Sequence, residues 1–430
     1  MADVSQTRGR RMARIIPVAF FMYTIAFMDR LNISLALPQM SQQLHFGQAV
    51  AGLAFGIFFF GYLVLQVPGG HLAERWSAKW FIFILLLVWG CFAVLTGFVQ
   101  NTTQLLVVRF LLGVAEGGVW PATLVLLAHW FPRGERARAN NLWMLCLPVS
   151  SVVAAPIGGF ILSVTHGFMW LFVLEGIPPL IWAGIWALVI PDDPQKVSWM
   201  TSAERQDLEG VLAAERRDRD RPDLNTYRRA MLSGPTWLFT AIYFLLTLSG
   251  YGLAAFLPSM LKAGGLPIGT VGILTALPSV MAIVGLLVVG HLSDRALVRR
   301  MHIAIPVAVM GVGFVLSGLL SGSPVLSLII LTLAGFGLNA FLGPFWATVD
   351  QILPPATSGG AMGFINGLGN LGGFVGPALV GLLAQVTRAT NEYQPGFIML
   401  GVSALVASLL ALQIRLREGS RAAAGRQAVQ

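Results

Sequence analysis

Apolar runs of about twenty residues recur along the 430-residue chain, separated by short polar breaks. A run of that length crosses the hydrocarbon of a bilayer as one helix. The pattern predicts twelve spans, near 15–37, 50–69, 80–99, 104–128, 141–163, 168–190, 235–258, 268–289, 302–320, 325–348, 358–385 and 395–414. The only long hydrophilic stretch is 191–234, which opens PDDPQKVSWMTSAERQDLEG. PDDP stops the sixth span, and Thr201 or Ser202 can cap a short amphipathic helix to about Arg216, with Glu204 in its first turn. ERRDRDRPD then reads as a mixed-charge connector. The expected organisation is a six-helix bundle over 1–190, a linker over 191–234, and a second six-helix bundle with a polar tail over 235–430.

An internal repeat agrees with that division. GHLAER at 70–75 returns as GHLSDR at 290–295, each between the second and third span of its half. A weaker echo relates APIGGFI, 155–161, to GPALVGLL, 376–383, in the two fifth spans. A half-chain period with equal orientation in both copies fits a six-plus-six all-α polytopic membrane protein.

Composition sharpens the class. Hydrophobic residues make up 56% and charged residues 11%, against roughly 25% charged in soluble domains. A soluble globule of buried helices fails because no polar faces remain to cover it. Counted by alternate connections, twenty-four of the twenty-eight lysines and arginines fall on one side. Lys262 and Arg388 lie on the other, and Arg30 and Arg109 lie within spans. The positive-inside bias puts both termini and the linker in the cytoplasm, and it accounts for the net charge of +9 without a nucleic-acid partner. No cleavable signal peptide is expected. Cys91 and Cys146 sit in apolar runs and read as core filler, and no metal-ligand spacing or catalytic arrangement appears.

Charges at membrane depth raise the functional question, because they are costly unless they face a protein interior or a water-filled route. FMDRLN, 27–32, brings Asp29 and Arg30 into the outer half of span one. RFLLGVAEGGVWPATLVLLAHWF, 109–131, brings Arg109 and Glu116 into span four, seven residues apart and so on one helix face. Two guanidiniums offer forked donors suited to a carboxylate, and a neighbouring acid can carry a proton. The same groups also fit an Arg–Glu lock that fastens helices, and Asp29 beside Arg30 has an equally plausible structural task. Further polar groups share helix faces: Tyr62 with Gln66, Thr240 with Tyr243, Thr247 and Tyr251, Asn339 with Trp346, and Asn366 with Asn370. Each fits a cavity lining or ordinary helix–helix hydrogen bonding. Glu175 and Asp350 are expected toward span ends with solvent access. Phe58, Phe59, Tyr62, Trp120 and Trp346 could line a cavity with aromatic rings. GGAMG, 359–363, lacks the lysine and strand context of a phosphate loop.

With these motifs the chain resembles the major facilitator superfamily. GGHLAERWSAK, 69–79, is similar to its cytoplasmic signature, with Glu74 where aspartate is commoner, and the second copy keeps Asp294. FMDRLN and RFLLGVAEGGVWPA resemble the anion:cation symporters, which import sugar acids, tartrate, phthalate and hydroxyphenylacetate. The resemblance implies carboxylate binding by Arg30 and Arg109, with contacts from Tyr62 and Asn370. It further implies proton coupling by Glu116 and Asp29, and gating through Gly70, Glu74, Arg75, Lys79, Gly290, Asp294 and Arg295. Tyr243, Thr247, Tyr251, Asn366, Trp346 and Asn339 are candidate lining residues. The expected protein is a monomeric bacterial inner-membrane carrier in the lipid bilayer, with a small organic anion as cargo, a proton as coupling ion and no cofactor. The alternatives are a proton-coupled exporter of drugs or metabolites and a transport-inactive sensor or scaffold.

Overall fold

The computed structural model describes residues 4–217, 224–294, 299–320, 323–353, 358–387 and 392–414. The fold is all-α, and twelve helices among the described residues are long and apolar enough to cross a membrane. Each of the twelve sequence-predicted runs coincides with one of them. The largest differences are extensions. Span one belongs to a helix Val4–Gln43, and span five is preceded by a polar helix Arg133–Met144. Hydropathy marks only the part of a helix in hydrocarbon; arginines such as Arg8, Arg10 and Arg14 are good helix formers and carry the turn onward.

Several spans are interrupted, which the apolar pattern does not reveal. Span four is Thr102–Gly117 followed by Val119–Trp130, with the break at Gly118. Span ten comes in three pieces, Pro324–Ala334, Phe336–Ala340 and Leu342–Ile352. Span eleven is Ser358–Asn370 followed by Gly372–Thr387. At the span-four break the backbones touch: a Cβ on Gly117 would stand 2.1 Å from the Tyr62 carbonyl oxygen. Glycine is therefore needed at Gly117, and the contact fixes Tyr62 of span two beside Glu116.

The chain forms two compact units. The first comprises Met1–Asn32, Phe60–Ser151 and Gly167–Arg221; the second comprises Ile33–Phe59, Val152–His166 and Pro222–Gln430. In the first, span three (Ala78–Thr96) packs along span six (Phe168–Val189) and also against span four. In the second, span nine (Arg300–Leu319) packs along span twelve (Gln394–Leu412), where Ser408 donates to the Ala304 carbonyl at 2.8 Å. Span seven (Gly234–Ala263) packs against spans eleven and twelve. The end of span one and the start of span two join this second unit, with Phe59 against Tyr251 at 4.3 Å and Gln48 donating to the Tyr393 hydroxyl at 3.2 Å. Cys146 is buried, but Cys91 is exposed on span three rather than filling the core.

The first part of the linker is fastened to the first unit. A helix Ser202–Arg217 starts at a capping box in which the Thr201 N–H donates to Glu204 at 2.8 Å and the Glu204 N–H to the Thr201 hydroxyl at 3.2 Å. Arg10 pairs with Glu204, and Arg14 lies 4.9 Å over the Trp199 ring, which stacks on Trp130. At the other end Glu215 accepts from the Arg133 N–H at 2.7 Å and pairs with Arg136 at 3.4 Å. The Thr201 N–H, followed by Arg10, holds the Glu204 carboxyl below the usual carboxylate range. A lowered pKa stabilises docking above the ordinary carboxylate range and is lost only as pH falls through the lowered value. Docking should thus persist in mildly acid buffer. Glu215→Gln should speed tryptic cleavage after Arg216 or Arg217 about two- to fivefold, the scale of a partly exposed ion pair. Unchanged cleavage kinetics would show that these contacts do not hold the helix.

Candidate functional site

The first unit brings several buried charges together where spans one, three, four and six meet. Asp29, Arg30 and Asn32 of FMDRLN are all buried, as are Arg109 and Glu116. Asp29 and Asn32 are three residues apart and share a face, whereas Arg30 points about a quarter turn away. Arg30 reaches span four, where its Nη2 donates to Glu116 Oε2 at 3.0 Å. The same guanidinium lies 4.9 Å over the Tyr62 ring and 5.3 Å over Phe27. Asp29 accepts from the Trp89 indole at 2.6 Å and from the Asn32 amide at 2.9 Å. The buried Arg109 guanidinium lies within reach of the charges of Asp29 and Glu116.

The pairing therefore crosses the one suggested by sequence neighbours. The spacing of Arg109 and Glu116 suggested a pair within span four, and the adjacency of Asp29 and Arg30 a pair within span one. Seven residues rise about 10 Å along a helix axis, too far for a direct side-chain bond, and adjacent residues diverge round the helix. Arg30 instead meets the acid of span four. Glu175 also departs from expectation: it is 7% exposed and faces Asn32 and Asp29 from span six. Asp350 is exposed, as its place near a span end suggests.

An aromatic wall adjoins Arg30. Tyr23 lies beside Tyr62, 5.3 Å from Trp120 and 5.2 Å from Trp143, with Trp120 and Trp143 4.6 Å apart. Sequence reasoning missed Tyr23 and Trp143. Tyr23 had a usable signal, since it precedes Arg30 by seven residues and shares its helix face. Trp143 gave none, because one more aromatic residue at the start of an apolar run has nothing to single it out.

Other candidates lie in the second unit. Tyr243 stacks on Phe345 at 5.6 Å and meets Trp346 edge-on at 5.3 Å. The Asn370 amide donates to the Asn366 carbonyl at 2.8 Å and to its side-chain oxygen at 3.1 Å, just before the break in span eleven. Thr247 donates to the carbonyls of Phe244 and Gly369, and Thr240 to that of Thr236, so these hydroxyls are committed to backbone. Phe58 and Phe59 belong to this unit and touch each other at 5.2 Å. Tyr251 and Asn339 are half-buried. Of the signature loops, Glu74 and Arg75 are exposed, Gly70 and Lys79 are half-buried, and the Lys79 N–H donates to Asp192 of PDDP at 3.3 Å. Gly290 and Asp294 lie in the helix Ile268–Asp294, and Arg295 lies outside the described residues.

Twelve such spans with charged spans one and four invite comparison with known carriers. The sequence model of the Major Facilitator Superfamily matches residues 19–377 and again 239–429. The chain belongs to that superfamily. It is 33% identical over 397 residues to the Quinolone resistance transporter of Acinetobacter baumannii, covering 90% of this chain and 91% of that one. It is 32% identical over 411 residues to the "Putative tartrate transporter" of Agrobacterium vitis, covering 93% and 89%. Among solved structures, the D-xylose-proton symporter superposes with a TM-score of 0.76 over 94% of this chain and 98% of that one. The identity there is 14%, so the likeness is one of fold. This superfamily member is a multi-pass membrane protein and a secondary transporter of small organic solutes.

Proposed function

We propose that this transporter imports a small organic carboxylate, aromatic or sugar-derived, by proton symport. The observation that carries the reading is the buried Arg30–Glu116 pair at 3.0 Å. Glu116, held by Arg30 Nη2 at 3.0 Å, competes with an incoming carboxylate for the guanidinium's charge and donors. Protonation of Glu116 removes the internal competitor, and the anion then takes the freed guanidinium. Proton and anion thus favour each other's binding. Arg109 supplies the second positive charge, Asp29 balances it, and Tyr62 contacts the cargo. The family resemblance of FMDRLN and RFLLGVAEGGVWPA to anion:cation symporters supports the cargo class, as does the Agrobacterium relative named for tartrate. Carrying one proton per negative charge avoids about 2.3 kcal/mol per charge per 100 mV of membrane potential.

The six-helix halves 1–190 and 235–430 alternate access, joined by the linker 191–234, with both termini on the cytoplasmic side of a bacterial inner membrane. The signature loops act as cytoplasmic latches, so Arg75→Ala should change transport rate while leaving orientation intact. An unchanged rate would leave Arg75 only a topological role. The quinolone relative favours a second reading, a proton-coupled exporter. Counterflow in proteoliposomes separates the two: tartrate, gluconate or benzoate should exchange and quinolones should not. Exchange of cationic drugs without carboxylates would overturn the import reading.

A further inference from the structure

Glu175 takes no part in the exchange between Arg30, Glu116 and the anion, yet it is one of three acids in the cluster. We propose that Glu175 is a separate proton-binding carboxyl, which holds a resident proton and sets the charge balance that lets Glu116 titrate alone. The inference rests on the symport reading above for its functional meaning. Its structural basis is independent of cargo.

Three observations carry it. The first is enclosure. Glu175 is 7% exposed, and a Cβ on the neighbouring Gly176 would stand 2.7 Å from the Val94 backbone nitrogen. Spans six and three thus meet backbone to backbone beside the carboxyl and keep water from it. The second is the set of partners. Asn32 and Asp29 of span one lie beside Glu175, with the Asn32 amide as the polar neighbour able to donate to it, and neither Glu175 oxygen has a partner at full hydrogen-bond distance and angle among the described residues. The Asn32 amide is already directed to Asp29 at 2.9 Å. Span three contributes Lys79, whose carbonyl is bound by Trp186 at the far end of span six, and Cys91, which is exposed. No cation therefore faces Glu175 among the described residues of these helices.

The third is the count of charges. Arg30 and Arg109 supply two positive charges, while Asp29, Glu116 and Glu175 would supply three negative ones if all were ionised. An unmatched charge in a low-dielectric interior is costly, and one bound proton removes it. Glu116 has a guanidinium, and Asp29 has an indole, an amide and the attraction of Arg109. Glu175 has a neutral amide beside it, so the proton belongs there. The empty site then sums to zero. It sums to zero again when Glu116 has taken a proton and Arg30 the anion.

Infrared spectroscopy of the full-length protein in liposomes tests this without substrate, through the carbonyl stretch of protonated carboxylic acids and its shift in D2O. At neutral pH the wild type should show such a band and Glu175→Gln should lack it. The variant, a neutral isostere, should keep proton-driven accumulation. A band unchanged by Glu175→Gln would overturn the proposal, as would a variant that exchanges substrate but no longer accumulates it. Should Glu175→Gln fail to fold, Asn32→Ala serves instead. Loss of the neighbouring amide should shift the band, and an unmoved band counts against the assignment. Tartrate counterflow on wild-type protein judges the carboxylate reading separately, because the band is read with no cargo present.

Discussion

Replacing Arg30 by glutamine should abolish carboxylate transport in a protein that still folds and inserts. Arg30 holds Glu116 at 3.0 Å and lies across the Tyr62 ring, so its fork is oriented before any anion arrives. Removing one partner of a buried ion pair costs roughly 3–5 kcal/mol when the other stays charged. In the empty site Glu116 can escape that cost by taking a proton. A bound carboxylate has no such escape, so the loss falls on binding, by about a hundredfold or more. Arg30→Lys should retain a fraction of transport, because it keeps the charge but not the planar fork. Carboxylate-induced thermal stabilisation and counterflow measure both variants. Full binding by Arg30→Gln would remove Arg30 from the site.

Glu116→Gln should separate exchange from accumulation. Glutamine keeps the size of the side chain and cannot release a proton, so Arg30 is permanently without its internal carboxylate. The anion should bind at least as well as in wild type, and counterflow should continue at all pH values. Accumulation driven by an inward proton gradient should vanish. Asp29→Asn should show a milder version, since Trp89 and Asn32 can still engage an amide at that position. Full gradient-driven uptake by Glu116→Gln would pass the coupling role to another group and leave Arg30–Glu116 a fastener of spans one and four.

Much of the fold can be read from the chain because a bilayer leaves few choices. Twenty apolar residues in hydrocarbon must be helical to satisfy their own backbone, and the twelve runs appear as twelve helices. The breaks at Gly118 and Leu371 escape that logic, because they depend on which helix crosses which. Gly117 against the Tyr62 carbonyl is a contact between distant segments with no local signature. The cluster shows the same division. Asp29, Arg30, Arg109 and Glu116 announce themselves as charges in apolar sequence, but their partners do not. Helical spacing relates residues on one helix, whereas Arg30 with Glu116 and Asp29 with Trp89 are pairings between helices. Glu175 was misplaced for a related reason. Distance from a span end says little about solvent when a neighbouring helix covers the position.

The central claim is that the anion displaces Glu116 from Arg30 and that Glu116 takes up a proton as it leaves. Proton uptake on binding tests it most directly, with purified protein in weakly buffered solution and a carboxylate already shown to stabilise it. Binding should draw in about one proton per anion by wild type, and none by Glu116→Gln, which should still bind. Saturating binding to wild type with no proton uptake at any pH between mildly acid and mildly alkaline would contradict the account.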